Sequence, residues 1–181
     1  MNNTDFSDKT NKHTFRTMRR CKQQLSVHEC EKILQETTSG ILAVSGDNGF
    51  PYAVPLSHFY MNGKLYFHSA KEGHKIDALK REAKVSFCVI GQDSVHPETF
   101  TTHFRSVIAF GRITIISDEK EKRQALELLG RHFNPTDENK LQQEIEKSFQ
   151  QVLVLRMDIE HLTGKEAIEL VRANNGNKPI P

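Results

Sequence analysis

Apolar positions in this chain switch repeatedly between helical and strand spacing, and the switches fall at turn and cap residues. Val27, Cys30, Ile33 and Leu34 form one stripe at helical spacing. Ser26 ahead of it and Glu29 three residues on can satisfy each other's backbone donors, and Leu25 with Cys30 is placed for a hydrophobic staple across the cap. Residues 41–44 are short and apolar, residues 50–60 are rich in strand formers, and residues 64–67 carry aromatic side chains. Asp47-Asn48-Gly49 and Asn62-Gly63 separate these three runs, so two hairpins and antiparallel pairing are predicted. Pro51 and Pro55 have no amide proton to donate, which makes the middle strand an edge or an interrupted strand. From Gly73 the period lengthens again, with Ile76, Leu79 and Ala83 at helical spacing. Residues 84–90 alternate Val85, Phe87 and Val89 against Ser86, Cys88 and Ile90, as a strand covered on both faces would.

A polar stretch over residues 91–102 reads as a loop long enough for binding or subunit contact. Residues 104–116 are too β-branched for anything but strand, and Gly111 in their middle predicts a bend or bulge. Asp118 caps a helix over 119–133 with Ala125, Leu128, Leu129 and Phe133 inward. Asn134-Pro135-Thr136-Asp137 breaks it, and Leu141, Ile145 and Phe149 mark a second helix lying antiparallel to the first. Residues 152–161 close the sheet with Leu153, Leu155, Met157 and Ile159 inward, and residues 165–172 form a short helix. The fold expected is mainly β with flanking α: a six-stranded antiparallel barrel over residues 16–171, a flexible arm over 1–15 and a tail over 172–181.

Composition narrows the class of partner. Lys plus Arg number 25 against 23 Asp plus Glu in 181 residues, and a net charge of +2 does not suggest a nucleic-acid surface. A small molecule is the expected partner. Cys21, Cys30 and Cys88 contain no C-x-x-C pair, so neither a disulfide framework nor a metal centre is indicated. No apolar run approaches the roughly 20 residues of a membrane helix, and the polar start lacks a signal-peptide core, so a cytoplasmic location is expected. Arg16, Arg19, Arg20 and Lys22 read as a solvated basic tail or as a phosphate contact.

The densest candidate chemistry lies in residues 66–77, where a strand passes through a polar connection into a helix. A helix start offers unpaired N–H groups and the positive end of a dipole, and Lys71, Lys75 and a protonated His74 would add charge. Together these make an anion site, best suited to phosphate. The same features also fit an ordinary solvated connection.

Several stretches resemble the pyridoxamine 5'-phosphate oxidase-like flavoproteins, and within them the nitroimidazole-resistance (Nim) branch. They are Gly40-Ile41-Leu42-Ala43, Pro51-Tyr52-Ala53-Val54-Pro55-Leu56-Ser57, Tyr66-Phe67-His68-Ser69-Ala70, Gly73-His74-Lys75-Ile76-Asp77-Ala78, and residues 84–90, 100–107 and 158–167. The resemblance implies a split β-barrel homodimer with FMN in clefts at the subunit interface. It implies that Lys71, His74 and Lys75 grip the flavin phosphate, with His74 standing where the oxidases proper carry an arginine. It places His68 and Ser69 where the strand meets flavin, and Val54, Pro55, Leu56 and Ser57 along the isoalloxazine ring. Arg105 and Ser106 would reach flavin from the same or the other subunit. No basic segment follows Glu166, so pyridoxamine phosphate is not the expected substrate. The Nim branch implies reduction of a nitro group to an amine by electrons carried on flavin. His68, with His58 as second choice, is the candidate proton donor, or else a group that only hydrogen-bonds flavin or backbone. The other readings are a flavin or small-ligand binding protein without turnover, and a heme-handling split barrel.

Overall fold

The computed structural model describes residues 15–174 and Gly176. In chain order its elements are α1 (Val27–Glu36), β1 (Ser39–Ser45), β2 (Pro51–Ser57), β3 (Phe59–Met61), β4 (Lys64–Ala70), α2 (His74–Arg81), β5 (Lys84–His96), β6 (Thr101–Ile115), α3 (Glu119–Phe133), α4 (Glu138–Ser148), β7 (Val152–Glu166) and α5 (Ile168–Asn174). The strands form one antiparallel sheet in the order β2-β1-β5-β6-β7-β4-β3. The count is seven, not the expected six, because residues 50–60 divide at His58 into β2 and β3, which lie at opposite ends of the ladder. Its hydrogen bonding is not closed into a barrel. Since one residue joins the two end strands, the sheet must curl until its ends meet. The two prolines fall on the end strand β2, where a missing amide proton is tolerated.

His58 fixes this crossing. Its backbone N–H donates to the Thr38 carbonyl at 3.1 Å, and its Nε2 donates to the Leu34 carbonyl of α1 at 3.0 Å. The ring is fully buried and stands edge-on to Phe87 at 5.0 Å. Tyr60, one turn of the pleat further on, donates to the Glu31 carboxylate at 2.7 Å, so α1 is tied to β3 twice. The concave face holds the main core. Leu42 and Val44 from β1, Leu65 and Phe67 from β4, Val85, Phe87 and Val89 from β5, and Leu155 and Met157 from β7 meet Ile33 and Leu34 of α1 and Ile76 and Leu79 of α2. A second cluster joins Tyr66, Ile116 and Val154 to Ala125 and Leu129 of α3 on the opposite face of the sheet.

The local signals held where they named caps and turns. Ser26 and Glu29 form the reciprocal cap, with Glu29 N–H to Ser26 Oγ at 3.2 Å and Ser26 N–H to Glu29 Oε2 at 2.8 Å. Leu25 and Cys30 are both buried against Gly164. Asn62 and Gly63 take φ 50° and 75°, the doubly positive turn that suits a two-residue hairpin. Gly111 lies at a bulge, opposite Ile159, while Phe110 pairs with His161 and leaves Glu160 as the extra residue. A Cβ there would run into the Asp158 carbonyl.

Other expectations are corrected. Residues 91–102 are not a loop: β5 and β6 pair as far as His96 and Thr101, so they form a hairpin arm. Polar side chains on both faces of that arm gave it the composition of a loop. Val27 and Phe133 are exposed, because they are the first residue of α1 and the last of α3, at the ends of the stripes those helices bury. Ile90 is 64 % exposed, so the outward side of β5 is not fully covered by the described residues. The short helix begins at Ile168, because β7 continues through Glu166. Of the expected arm, residues 1–14 lie outside the described residues, as does most of the tail.

Two outcomes follow for stability. Gly111→Ala should cost about 1–3 kcal/mol in urea unfolding, through the forced shift of β7 at the bulge. Burial holds the His58 imidazole below the ordinary histidine value of 6.5, against the opposing pull of its Leu34 hydrogen bond. The unfolded chain then binds the proton more readily, so this contribution is present above pH 6.5 and is lost as pH falls towards the folded value. His58→Gln should flatten the acid side of the urea midpoint between pH 7.5 and pH 5, relative to the unsubstituted protein.

Candidate functional site

The β4–α2 connection is shaped by one glycine. Gly73 precedes α2 with φ 119° and ψ 168°, a region essentially closed to residues with a Cβ. Its side chain can offer no cap, and its carbonyl receives the N–H groups of Ile76 and Asp77. The amides of the first turn are therefore met by no capping side chain, at the positive end of the helix. Lys75 lies beside them, half-buried. Burial alone pushes its ammonium below the ordinary lysine value, and among the described residues no carboxylate pairs with it. A desolvated cation without a counter-ion, at a helix start, suits an anion such as a phosphate ester.

The other expected phosphate ligands are placed less simply. Lys71 is exposed in the connection itself. The His74 ring stacks on Tyr52 of β2 at 4.2 Å, and its Nε2 lies 3.3 Å from Asp47 Oδ2. Asp47 also accepts from Arg81 at 2.6 Å. A proton on His74 is thus matched by Asp47. Neither Tyr52, Asp47 nor Arg81 was singled out in the sequence, and their separation along the chain gave no periodic signal to find them by.

His68 and Ser69 are neighbours on β4 and so point to opposite faces. Ser69 is buried on the concave side, whereas His68 is exposed on the outer side, across from Val154 of β7. On β2, Val54 and Leu56 pack partly against the core, while Pro55 and Ser57 are exposed. The stacking of Tyr52 on His74 brings this strand beside the start of α2. His58, the second candidate donor, is sealed in the core with Nε2 engaged and cannot meet a substrate.

Arg105 and Ser106 are not brought to this group within one chain. Arg105 pairs with Glu166 at one end of β7, and Ser69 with Leu153 near the other, roughly 40 Å of strand away. The Arg105 guanidinium is held by Glu166 Oε2 at 3.1 Å from Nε and 3.0 Å from the terminal nitrogen. Among the described residues no group of three or more His, Cys, Asp or Glu is placed to hold a metal, and no helix is long and apolar enough to cross a membrane.

Comparison with known proteins bears on the family and the fold. No curated protein matches the chain. Among solved structures, a candidate 5-nitroimidazole antibiotic resistance protein from Bacteroides thetaiotaomicron is 25 % identical, with TM-score 0.69 over 79 % of this chain and 86 % of that one. A FAD-binding protein from Mesorhizobium loti is 28 % identical, with TM-score 0.59 over 80 % of this chain and 97 % of that one. A FAD and heme binding protein from Mycobacterium smegmatis is 20 % identical with TM-score 0.64, over 86 % of this chain and 80 % of that one, and shows likeness of fold. The family profile described as pyridoxamine 5'-phosphate oxidase matches residues 26–166, from the cap of α1 to the end of β7, and the chain belongs to that family.

Proposed function

We propose that this protein binds FMN and reduces a small electron-poor compound, of which a 5-nitroimidazole is the type. The observation that carries the reading is Lys75: half-buried, desolvated, without a carboxylate among the described residues, and beside the uncapped start of α2. A flavin phosphate supplies the missing charge. The similarity to a candidate 5-nitroimidazole resistance protein supports the choice of substrate. Bound flavin would supply electron pairs for successive reduction of the nitro group. The chain's own part is to hold the phosphate, to line the ring with β2, and to present a proton donor, for which exposed His68 is the candidate.

The protein is further proposed to be a homodimer. Strand pairing sets Pro55, Ile41, Cys88 and Ile108 in one row across the outer face of β2, β1, β5 and β6. Ile41 and Ile108 are 40 % and 37 % exposed, and Ile90 beside them 64 %. A second copy covers such a face.

Titration with FMN and FAD, followed by flavin fluorescence, tests the cofactor. Lys75→Ala should weaken FMN binding by about 1–3 kcal/mol, whereas Lys80→Ala, exposed on the same helix, should leave it unchanged. Equal affinity in the two variants would remove Lys75 from the site. Turnover is tested by photoreducing the loaded protein without oxygen and mixing it with a 5-nitroimidazole. Flavin should reoxidise faster than free reduced FMN does, with loss of the nitro absorbance. His68→Gln should slow that step about a hundredfold if the ring donates a proton. Reoxidation no faster than that of free flavin would mean binding without turnover.

A further inference from the structure

Beyond Gly91 the β5–β6 hairpin leaves the sheet. β1 pairs with β5 only at Ser86 to Cys88, and β7 pairs with β6 only as far as Arg105. Among the described residues, 92–104 are therefore a two-stranded ribbon with no strand on either flank, a structure that is marginal by itself in water. Its tip carries Phe100, 97 % exposed and at φ 52°, an unfavourable backbone conformation for an aromatic residue. Val95 is 72 % exposed, and its pairing with Thr102 places it on the same outward side as Ile90 and Ile108. Val95 thus carries one apolar side chain of the outer face onto an arm that is otherwise largely polar.

The same outer face also holds a cavity of about 460 Å³ between residues 15–19 and strands β6 and β7. Its aromatic walls are Phe15, Phe110 and His161, with Phe15 stacked on His161 at 4.5 Å and tilted to Phe110 at 5.6 Å. Arg16 and Arg19 stand at its rim. The arm tip is apolar with an acidic neighbour, Glu98, and the cavity is aromatic with a basic rim. Phe100 and Phe110 are both on or beside β6, ten residues apart. A two-fold axis halfway between them, near residue 105, carries position 100 of one copy onto position 110 of the other.

We propose that the arm is a dimer clasp: Phe100 of one copy seats in the Phe15, Phe110 and His161 cavity of the second, with Glu98 against Arg19. This rests on the dimer reading above and adds where its energy is concentrated. Sedimentation equilibrium of the full chain tests it. Phe100→Ser should raise the dimer dissociation constant about tenfold or more, as loss of a buried aromatic anchor does. Glu98→Lys and Arg19→Glu should each weaken the dimer, and the two together should restore part of the loss. Exposed Phe100 and Glu98 lie outside the packed core, so these variants keep the fold, which circular dichroism checks. A dimer unaffected by Phe100→Ser, with no rescue in the charge exchange, overturns the clasp while leaving the dimer standing, and gives the cavity to another occupant. A monomer at all concentrations overturns both readings.

Discussion

The sheet curls because the chain crosses from one of its ends to the other through the single residue His58. No longer connection is available there, so β2 and β3 must approach each other, and the intervening five strands must bend to allow it. The bend makes a concave face deep enough to take α1 and α2, whose apolar stripes supply Ile33, Leu34, Ile76 and Leu79 to the core. The buried imidazole makes the crossing a fixed point. It is tied to α1 through the Leu34 carbonyl and packed on Phe87 in the middle of β5. A histidine serves there because its Nε2 satisfies a carbonyl that the helix end leaves unpaired and its ring stands edge-on to Phe87, with Nδ1 buried and without a hydrogen-bond partner among the described residues.

The position of α2 inside that curl decides the chemistry of the site. Ile76, Ala78 and Leu79 are buried, and at the start of the helix His74 stacks on Tyr52 of β2. Two basic side chains in this region have opposite surroundings. His74 faces Asp47, which also holds Arg81, so that end of the helix start is electrically satisfied. Lys75 has lost water without gaining a counter-ion among the described residues. In a folded protein an uncompensated half-buried ammonium is costly, and the cost is recovered by binding an anion. The asymmetry separates the two residues that the sequence presented as a pair.

Elements defined by local physics were legible. The Ser26 cap, the Asn62-Gly63 turn, the Gly111 bulge and the Asp118 cap each depend on a few adjacent residues whose chemistry admits little else. What depends on distant contacts was not. Residues 50–60 read as one strand because both halves favour extended backbone, and nothing local says that they pair with different partners. Residues 91–102 read as a loop because a ribbon exposed on both faces has no apolar alternation to betray it. In the site, the Lys71, His74 and Lys75 cluster was visible at a helix start. The turn of His74 onto Asp47 and Tyr52 was not, since it depends on β2 lying beside α2. The opposite facing of His68 and Ser69 was implicit in strand geometry once β4 extended to Ala70.

The alternation of residues 84–90 carries the last step. Val85, Phe87 and Val89 are buried by the chain's own core, as their spacing requires. Cys88 and Ile90 on the other side repeat the apolar character without being fully covered by the described residues, and Ile41 and Ile108 on the flanking strands do the same. The convex side of the sheet is thus treated in two ways. Over β4 and β7 it is covered by α3, through Ala125 and Leu129. Over β1, β5 and the Ile108 part of β6 it stays partly exposed among the described residues, while Phe15 packs on Phe110 farther along β6. A strand pattern that is apolar on both sides records every surface the strand buries, including those buried only on assembly. The sequence expectation that β5 is covered on both faces therefore fails among the described residues of one chain, and a dimer of the kind proposed would meet it.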